Sequence, residues 1–334
     1  MTVVGMLHHR RNPEKVNKAY AFAAVSLMEG IEFYYFSYSS VDFKKGKIKG
    51  WIYKNGQWTQ VDKKFPDVVI NCSSPKTKAQ SNIRKKLKEK TIFTSYPVGH
   101  KMKVYKKLLR DGRFAPYLIP SALVSKTADV FSFLEKNQKA VMKPIKGNHG
   151  RNVLIIDQKD NIHLIDGEKV KELTNKEFEQ LLKVLLNERK WLIQPFIKSV
   201  TKADLAYDFR LHTQKNGEGL WEITLIYPRI SGGKKKVCNV SSGGYRGELI
   251  PFLMEEFPEC WALVKEKLEQ FALQFSTHFE NLYNHSFDEL GIDVGMDENG
   301  KLWLFEVNWR PGSRHREFDV AKKLIPYCHF LANQ

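Results

Sequence analysis

GIDVGMDENGKLWLFEVNWRPG, residues 291–312, decides how the chain is read. Asn299-Gly300 stand between two apolar arms. A two-residue hairpin loop at such a dipeptide, whose members both tolerate positive φ, pairs residue 298 with 301. Counting outward, Asp293 faces Glu306 across the strands. Like charges directly opposed in a sheet repel unless something positive lies between them. Side chains alternate faces along a strand, so Asn308 shares the face of Glu306, and two carboxylates and an amide oxygen converge from one sheet. Such oxygen ligands suit magnesium, with waters and nucleotide phosphates completing the octahedron. Asp293, Glu306 and Asn308 are the candidate metal ligands, although the pattern alone also fits an acidic hairpin edge.

Three upstream stretches add candidates. In VMKPIKGNHGRNV, residues 141–153, Lys143 ends an apolar strand and Gly147, Asn148, His149 and Gly150 form a polar loop. Glycines let backbone amides approach phosphate oxygens and the lysine supplies countercharge; a plain surface hairpin fits equally. WLIQPFI, residues 191–197, is apolar until Gln194, and Pro195 places it at a sheet edge or at a strand end because proline cannot donate to a ladder. Such a strand, ending in Gln194, Pro195, Phe196 and Ile197, suits a hinge whose exposed backbone hydrogen-bonds an adenine, and a plain core strand fits equally. Finally, Asp208 and Arg210 share a strand face in AYDFRLHTQ, Arg229 follows in LIYPRI, and Asn239 lies in VCNVSSGG. Arginines aimed into a cleft clamp phosphate or carboxylate with bidentate hydrogen bonds, but an Asp-Arg pair also serves as a structural ion pair.

The chain has 334 residues, 42% hydrophobic and 12% aromatic, enough for two or three lobes with buried cores. Its net charge of +17 is uneven: residues 1–113 carry 24 Lys+Arg against 8 Asp+Glu, and the remainder 30 against 29. The basic first third could attract an anionic polymer or acidic partner, while no nucleic-acid motif accompanies it. Cys72, Cys238, Cys260 and Cys328 lack the paired spacing of a zinc site or disulfide framework. No secretory signal pattern and no apolar run of about 18 to 20 residues occurs, so an intracellular protein without a membrane span is expected.

The periodicities divide the chain into a basic α/β lobe (1–95), a mixed middle lobe (96–190) and a hairpin-rich final lobe (191–334). The first contains strand, helix and strand, then a hairpin at Asn55-Gly56. In the second, Thr174 and Glu177 signal a capped helix ending near Arg189. The third carries an antiparallel sheet and a long helix at about 259–285.

The order of these motifs resembles the ATP-grasp superfamily over roughly residues 95–315. YDFRLHTQKNGEGLWEIT, PRIS, NVSSGG and GIDVGMDENGKLWLFEVNWRPG are similar to stretches of the YheC/YheD family of endospore coat-associated proteins. The resemblance implies an α/β (α+β) ATP-grasp fold with an N-terminal pre-ATP-grasp lobe and a nucleotide held between two antiparallel-sheet lobes. It implies ATP and magnesium as cofactors, Lys101 or Lys103 together with Lys143 on the phosphates, the 147–150 loop over them, and the 192–197 strand on adenine. Asp293, Glu306 and Asn308 correspond to the metal ligands, and Arg210, Arg229 and Asn239 face the transferred phosphate and substrate. The implied activity is carboxylate–amine ligation through an acylphosphate, on an unidentified acid and amine, with a peptide or spore component among the substrates. A hydroxyl kinase and a non-catalytic coat scaffold keep the same site. The hinge departs from the family pattern in lacking the acidic residue that often binds the ribose.

Overall fold

A computed structural model describes residues 1–145, 152–167, 169–232 and 244–334, which form three sheets. The first contains β1 (Val3–His8), β2 (Glu32–Ser37), β3 (Val41–Asp42), β4 (Lys47–Lys54), β5 (Gln57–Lys64), β6 (Val68–Asn71) and β7 (Ile92–Phe93). β1 pairs in parallel with β2 and β6, and β7 continues in parallel beside β6. These strands are nearly continuous apolar runs because both faces are covered. Helices α1 (Asn17–Met28) and α2 (Lys78–Lys88) belong to this lobe. The β4–β5 hairpin turns at Asn55 and Gly56, both at positive φ (51° and 79°), which is the loop read from the dipeptide.

The second sheet is wholly antiparallel, in the order β12-β11-β10-β9-β13-β8. Its strands are β8 (Ala122–Val124), β9 (Lys139–Pro144), β10 (Leu154–Gln158), β11 (Ile162–Asp166), β12 (Lys169–Leu173) and β13 (Trp191–Pro195). Helices α4 (Thr127–Asn137) and α5 (Asn175–Glu188) carry Val130, Leu134, Phe178 and Leu182 into its core. Helix α5 begins with the expected capping box, Thr174 and Glu177. In β9, Ala140 and Met142 join that core, so the period of two turns Val141 and Lys143 to the opposite face. Strand β13 lies between β9 and β8 and ends at Pro195, so of the two positions its proline allowed it takes the strand end.

The third sheet runs β16-β15-β14-β17-β18, also antiparallel: β14 (Tyr207–Lys215), β15 (Trp221–Ile230), β16 (Tyr245–Arg246), β17 (Glu289–Met296) and β18 (Leu302–Asn308). Helices α6 (Leu249–Glu256) and α7 (Trp261–Asn281) pack on one face, where Tyr207, Phe209 and Leu211 meet Phe271, Phe275 and Phe279. The alternate residues of β14, Asp208, Arg210, His212 and Gln214, are polar and yet buried, because other segments cover the second face.

Two helices cross the sequence boundaries. Helix α3 (Lys101–Asp111) sends Val104 and Leu108 into the core of the third sheet. The last helix, α8 (Glu317–Ala332), inserts Val320, Leu324, Ile325 and Cys328 into the core formed by β1, β6 and α1. The segment 191–334 therefore contributes β13 to the middle sheet and α8 to the first lobe.

The β17–β18 hairpin carries its expected pair, Asp293 opposite Glu306, by an unexpected route. The loop has three residues, with Gly300 at φ 71° and an Asp297–Lys301 backbone bond of 3.0 Å, instead of the two residues Asn299-Gly300. That slips the register by one, pairing Gly295 with Trp303 and Val294 with Leu304. A bulge at Phe305 restores it before Glu306. Gly295 makes room for the bulge, since a Cβ there would run into the Phe305 ring. Gly295→Ala is expected to lower stability by about 1–3 kcal/mol, read from the midpoint of urea unfolding.

Candidate functional site

All three lobes line one cleft of about 930 Å³, within the range of small-molecule and cofactor sites. The middle sheet presents Val141, Lys143 and Ile155 from β9 and β10, and Gln194, Phe196 and Ile197 at the end of β13. Val141 and Gln194 are cross-strand partners, as are Lys143 and Leu192. An apolar slot with a lysine at one end and the β13 terminus at the other thus follows from strand alternation.

Facing it are Lys101, at the start of α3, and Glu306, whose ion pair measures 3.1 Å. Helix α3 is capped by the His100 side chain, which accepts from the Lys103 backbone at 3.3 Å. Lys103 points to solvent and does not line the cleft, so of the two lysines only Lys101 reaches it. Burial, then the charge of Lys101, push the Lys143 ammonium down to about 8, against the opposing pull of Glu306. Its folded pKa therefore lies below the unfolded value of 10.5, so folding favours the neutral amine and stability gained at this group rises between about pH 8 and 10.5. Affinity for a phosphate anion should run the other way. Mg-ADP binding is expected to weaken as pH rises through about 8 in the wild type and to lose this dependence in Lys143→Met, measured by calorimetry across pH.

The third sheet supplies an interlocked charge network. Arg210 on β14 donates through Nε and Nη2 to the two carboxylate oxygens of Asp293 on β17, the second bond being 3.1 Å. Arg229 on β15 makes a bidentate pair with Asp208, both bonds 2.6 Å, and places Nη2 3.1 Å from Asp293 Oδ2. Asn308 donates from Nδ2 to the same oxygen at 3.3 Å. The positive charge that two facing carboxylates require is thus present on both, from the arginines at Asp293 and from Lys101 at Glu306. Burial works to raise the Asp293 pKa, but the charges of Arg210 and Arg229 and their hydrogen bonds overcome it and hold the carboxyl below the usual range.

The donor set bears on magnesium. Among the described residues there is no group of three or more His, Cys, Asp or Glu side chains that could hold a metal ion. Both Asp293 oxygens receive guanidinium hydrogen bonds, whereas Glu306 is about a third exposed and Asn308 shares its strand face. Glu306 and Asn308 fit an ion that takes few protein ligands, and Asp293 joins them only where a guanidinium gives way. Of the other expected site residues, Gly147, Asn148, His149, Gly150 and Asn239 lie outside the described residues. Pro195 ends β13 without lining the cleft.

Sequence reasoning missed the cleft's first-lobe end. Lys18, Asn71 and Cys72 line it, together with Arg310 from the segment after β18. The local signal for Arg310 was its place in NWRPG, two residues after the candidate ligand Asn308.

A sequence profile described as YheC/D like ATP-grasp matches residues 90–331. The chain belongs to the YheC/D-like ATP-grasp family. It is 26% identical over 323 residues to the endospore coat-associated protein YheD of Bacillus subtilis (strain 168), across 90% of this chain and 70% of that protein. It is 24% identical over 300 residues to YheC of the same organism, across 85% and 82%. Among solved structures it resembles a Chryseobacterium gregarium RiPP-associated ATP-grasp ligase in complex with ADP and a leader and core peptide. That likeness has a TM-score of 0.56 and 12% identity, and covers 100% of this chain and 97% of the other. It establishes the ATP-grasp fold of this family member, with its cleft between two antiparallel sheets. Among the described residues no helix is long and apolar enough to cross a membrane.

Proposed function

We propose that this ATP-grasp protein binds Mg-ATP in the cleft and is a carboxylate–amine ligase. The observation that carries the reading is the meeting of Lys143 with the Lys101–Glu306 pair, between one sheet that ends in the β13 hinge and another that ends in the Glu306–Asn308 edge. Lys143 and Lys101 neutralise phosphate oxygens, and the backbone at Gln194–Ile197 borders the adenine. Magnesium held by Glu306 and Asn308, with Asp293 behind them, supplies further charge neutralisation. In the first step a substrate carboxylate oxygen bonds to the γ-phosphorus while the bond to the β,γ-bridging oxygen breaks, giving an acyl phosphate and ADP. An amine then bonds to the acyl carbon, phosphate leaves with the C–O pair, and the amine proton passes to solvent. The chain's task is positioning and charge stabilisation, and the Arg210 and Arg229 guanidiniums lie where they can transfer from Asp293 and Asp208 to the incoming acid. The C. gregarium protein carries a leader and core peptide, which supports a peptide among the substrates here.

The names of YheD and YheC support a role at the spore coat. Purified protein with Mg-ATP and an extract of sporulating cells should release ADP in proportion to acceptor, and the product should be an amide. A stable phosphoester would assign a kinase instead. ATP binding without acceptor-dependent ADP would leave a coat scaffold.

The basic first lobe supports a docking role toward an acidic coat partner. Lys85, Lys86 and Lys88 on α2 are exposed, beside Lys90. Charge reversal at Lys85, Lys86 and Lys88 is expected to abolish retention on immobilised polyglutamate while Mg-ADP affinity stays within about twofold; unchanged retention would assign these lysines to a solvated surface.

A further inference from the structure

The nucleotide reading uses the cations at one end of the cleft and leaves the other end unexplained. Lys18, on α1, and Arg310 line that end. Lys18 is held in its charged form by the Glu289 and Asp288 carboxylates against repulsion from Arg310, whereas Lys143 feels Lys101 and Glu306, so the two cationic centres are separate. Neither Lys18 nor Arg310 has a carboxylate within ion-pair distance among the described residues; along the cleft Glu306, Asp293 and Asp208 pair with Lys101, Arg210 and Arg229, and Glu289 is hydrogen-bonded to the neutral His212 ring while Lys18 supplies its longer-range countercharge. Arg310 is held in place by its bonds to the Asn71 carbonyl, 3.3 Å, and to Ser74 Oγ, 2.6 Å, and by stacking on Trp309.

A second observation concerns Asn71. This side chain is 3% exposed and lines the cleft, and its Nδ2 donates to the Ser95 carbonyl at 3.2 Å, which fixes Oδ1 as an acceptor. That Oδ1 has no hydrogen-bond partner. A buried acceptor left unmade costs about 1–3 kcal/mol, and an N–H from a bound molecule removes the cost. The wall around it is rigidly built: Ser95 is kept at φ 59° although it is not glycine, with its amide and hydroxyl donating to Asp288 at 2.8 and 2.7 Å. Strain of this kind persists where surrounding bonds over-determine it.

The spacing sets the ligand's size. Glu289, which acts on Lys18, and Asp293 share one face of β17 four residues apart, or roughly 14 Å at about 3.4 Å per residue. A single short molecule can bridge that interval.

We infer that the first-lobe end of the cleft is a subsite for a second carboxylate of the acid substrate, bound by Arg310 and Lys18, with a substrate amide N–H donating to Asn71 Oδ1. The substrate class is then an acidic peptide with carboxylates at both ends of the interval. The inference rests on the nucleotide reading for the place of the reacting carboxylate.

The test uses acetylated diglutamate, which carries three carboxylates and amide N–H groups, titrated calorimetrically into the full chain with Mg-ADP present. One molecule per chain is expected to bind at least tenfold more tightly than acetylated diglutamine amide. Arg310→Gln and Lys18→Met should each weaken binding at least tenfold while Mg-ADP affinity stays within twofold, and Arg310→Lys should recover part of the loss. Urea midpoints identify any variant that has lost its fold, and Lys18→Met leaves the Arg310 bonds to Asn71 and Ser74 untouched. Diglutamate binding unaffected by both substitutions, or absent from a chain that binds Mg-ADP, would overturn the subsite. Binding that depends on Arg310 and Lys18 in a chain that fails to bind Mg-ADP would support the subsite and overturn the nucleotide reading.

Discussion

Asp293→Ala should destabilise the protein by about 3–5 kcal/mol, measured as the shift in urea unfolding, because it strips a buried ion network of its central anion. Arg210 loses both of its carboxylate bonds and Arg229 loses one, and Asn308 loses the acceptor for its amide. Asp293→Asn keeps the volume and one acceptor oxygen and should cost less. The pH dependence has a defined sign. The folded pKa of Asp293 is depressed below the ordinary aspartate value of 3.8, so the stability it contributes is fully present above that value and is lost as pH falls through the folded pKa. Acid unfolding of the wild type should therefore contain a component below about pH 4 that Asp293→Asn lacks. An alanine variant as stable as the wild type would show that the arginines find other partners.

Glu306→Ala should do nearly the reverse. Its ion pair with Lys101 is partly solvated, with side chains 31% and 21% exposed, and such pairs contribute about 0–1 kcal/mol. Turnover should suffer far more: acceptor-dependent ADP release is expected to fall by about 10²–10³, the range for removing one group that stabilises developing charge. Two carboxylates that face each other across one hairpin would thus separate, Asp293 principally holding the sheet together and Glu306 serving the chemistry. Equal stability losses in the two variants would contradict that division.

No local pattern in the sequence distinguishes the two carboxylates. Asp293 opposite Glu306 followed from the Asn-Gly turn and strand alternation, which are local. Yet the loop has three residues, and the pair survives because the Phe305 bulge compensates. Partners on neighbouring strands that are far apart in sequence leave no local trace. Asp208 and Arg210 shared a face as expected, but each pairs elsewhere: Asp208 with Arg229, and Arg210 with Asp293. The Lys101 and Lys103 alternatives separated only when helix α3 fixed which way each points. Likewise, no periodicity announces that α8 closes the core of the first lobe, since that contact joins opposite ends of the chain. Local patterning carried the elements and the hairpins, whereas the cleft's first-lobe end is assembled from β1, β6 and the segment after β18 and was missed.

The central claim, that Mg-ATP occupies the cleft between the middle and final sheets, is tested most directly by titrating Mg-ADP into the wild type and Lys143→Met in a calorimeter at pH 7. The expected result is one site per chain in the wild type and at least tenfold weaker binding in the variant, whose urea midpoint at that pH should be no lower than that of the wild type because the buried charge is gone. No binding to the wild type, or equal binding to both proteins, would contradict the account.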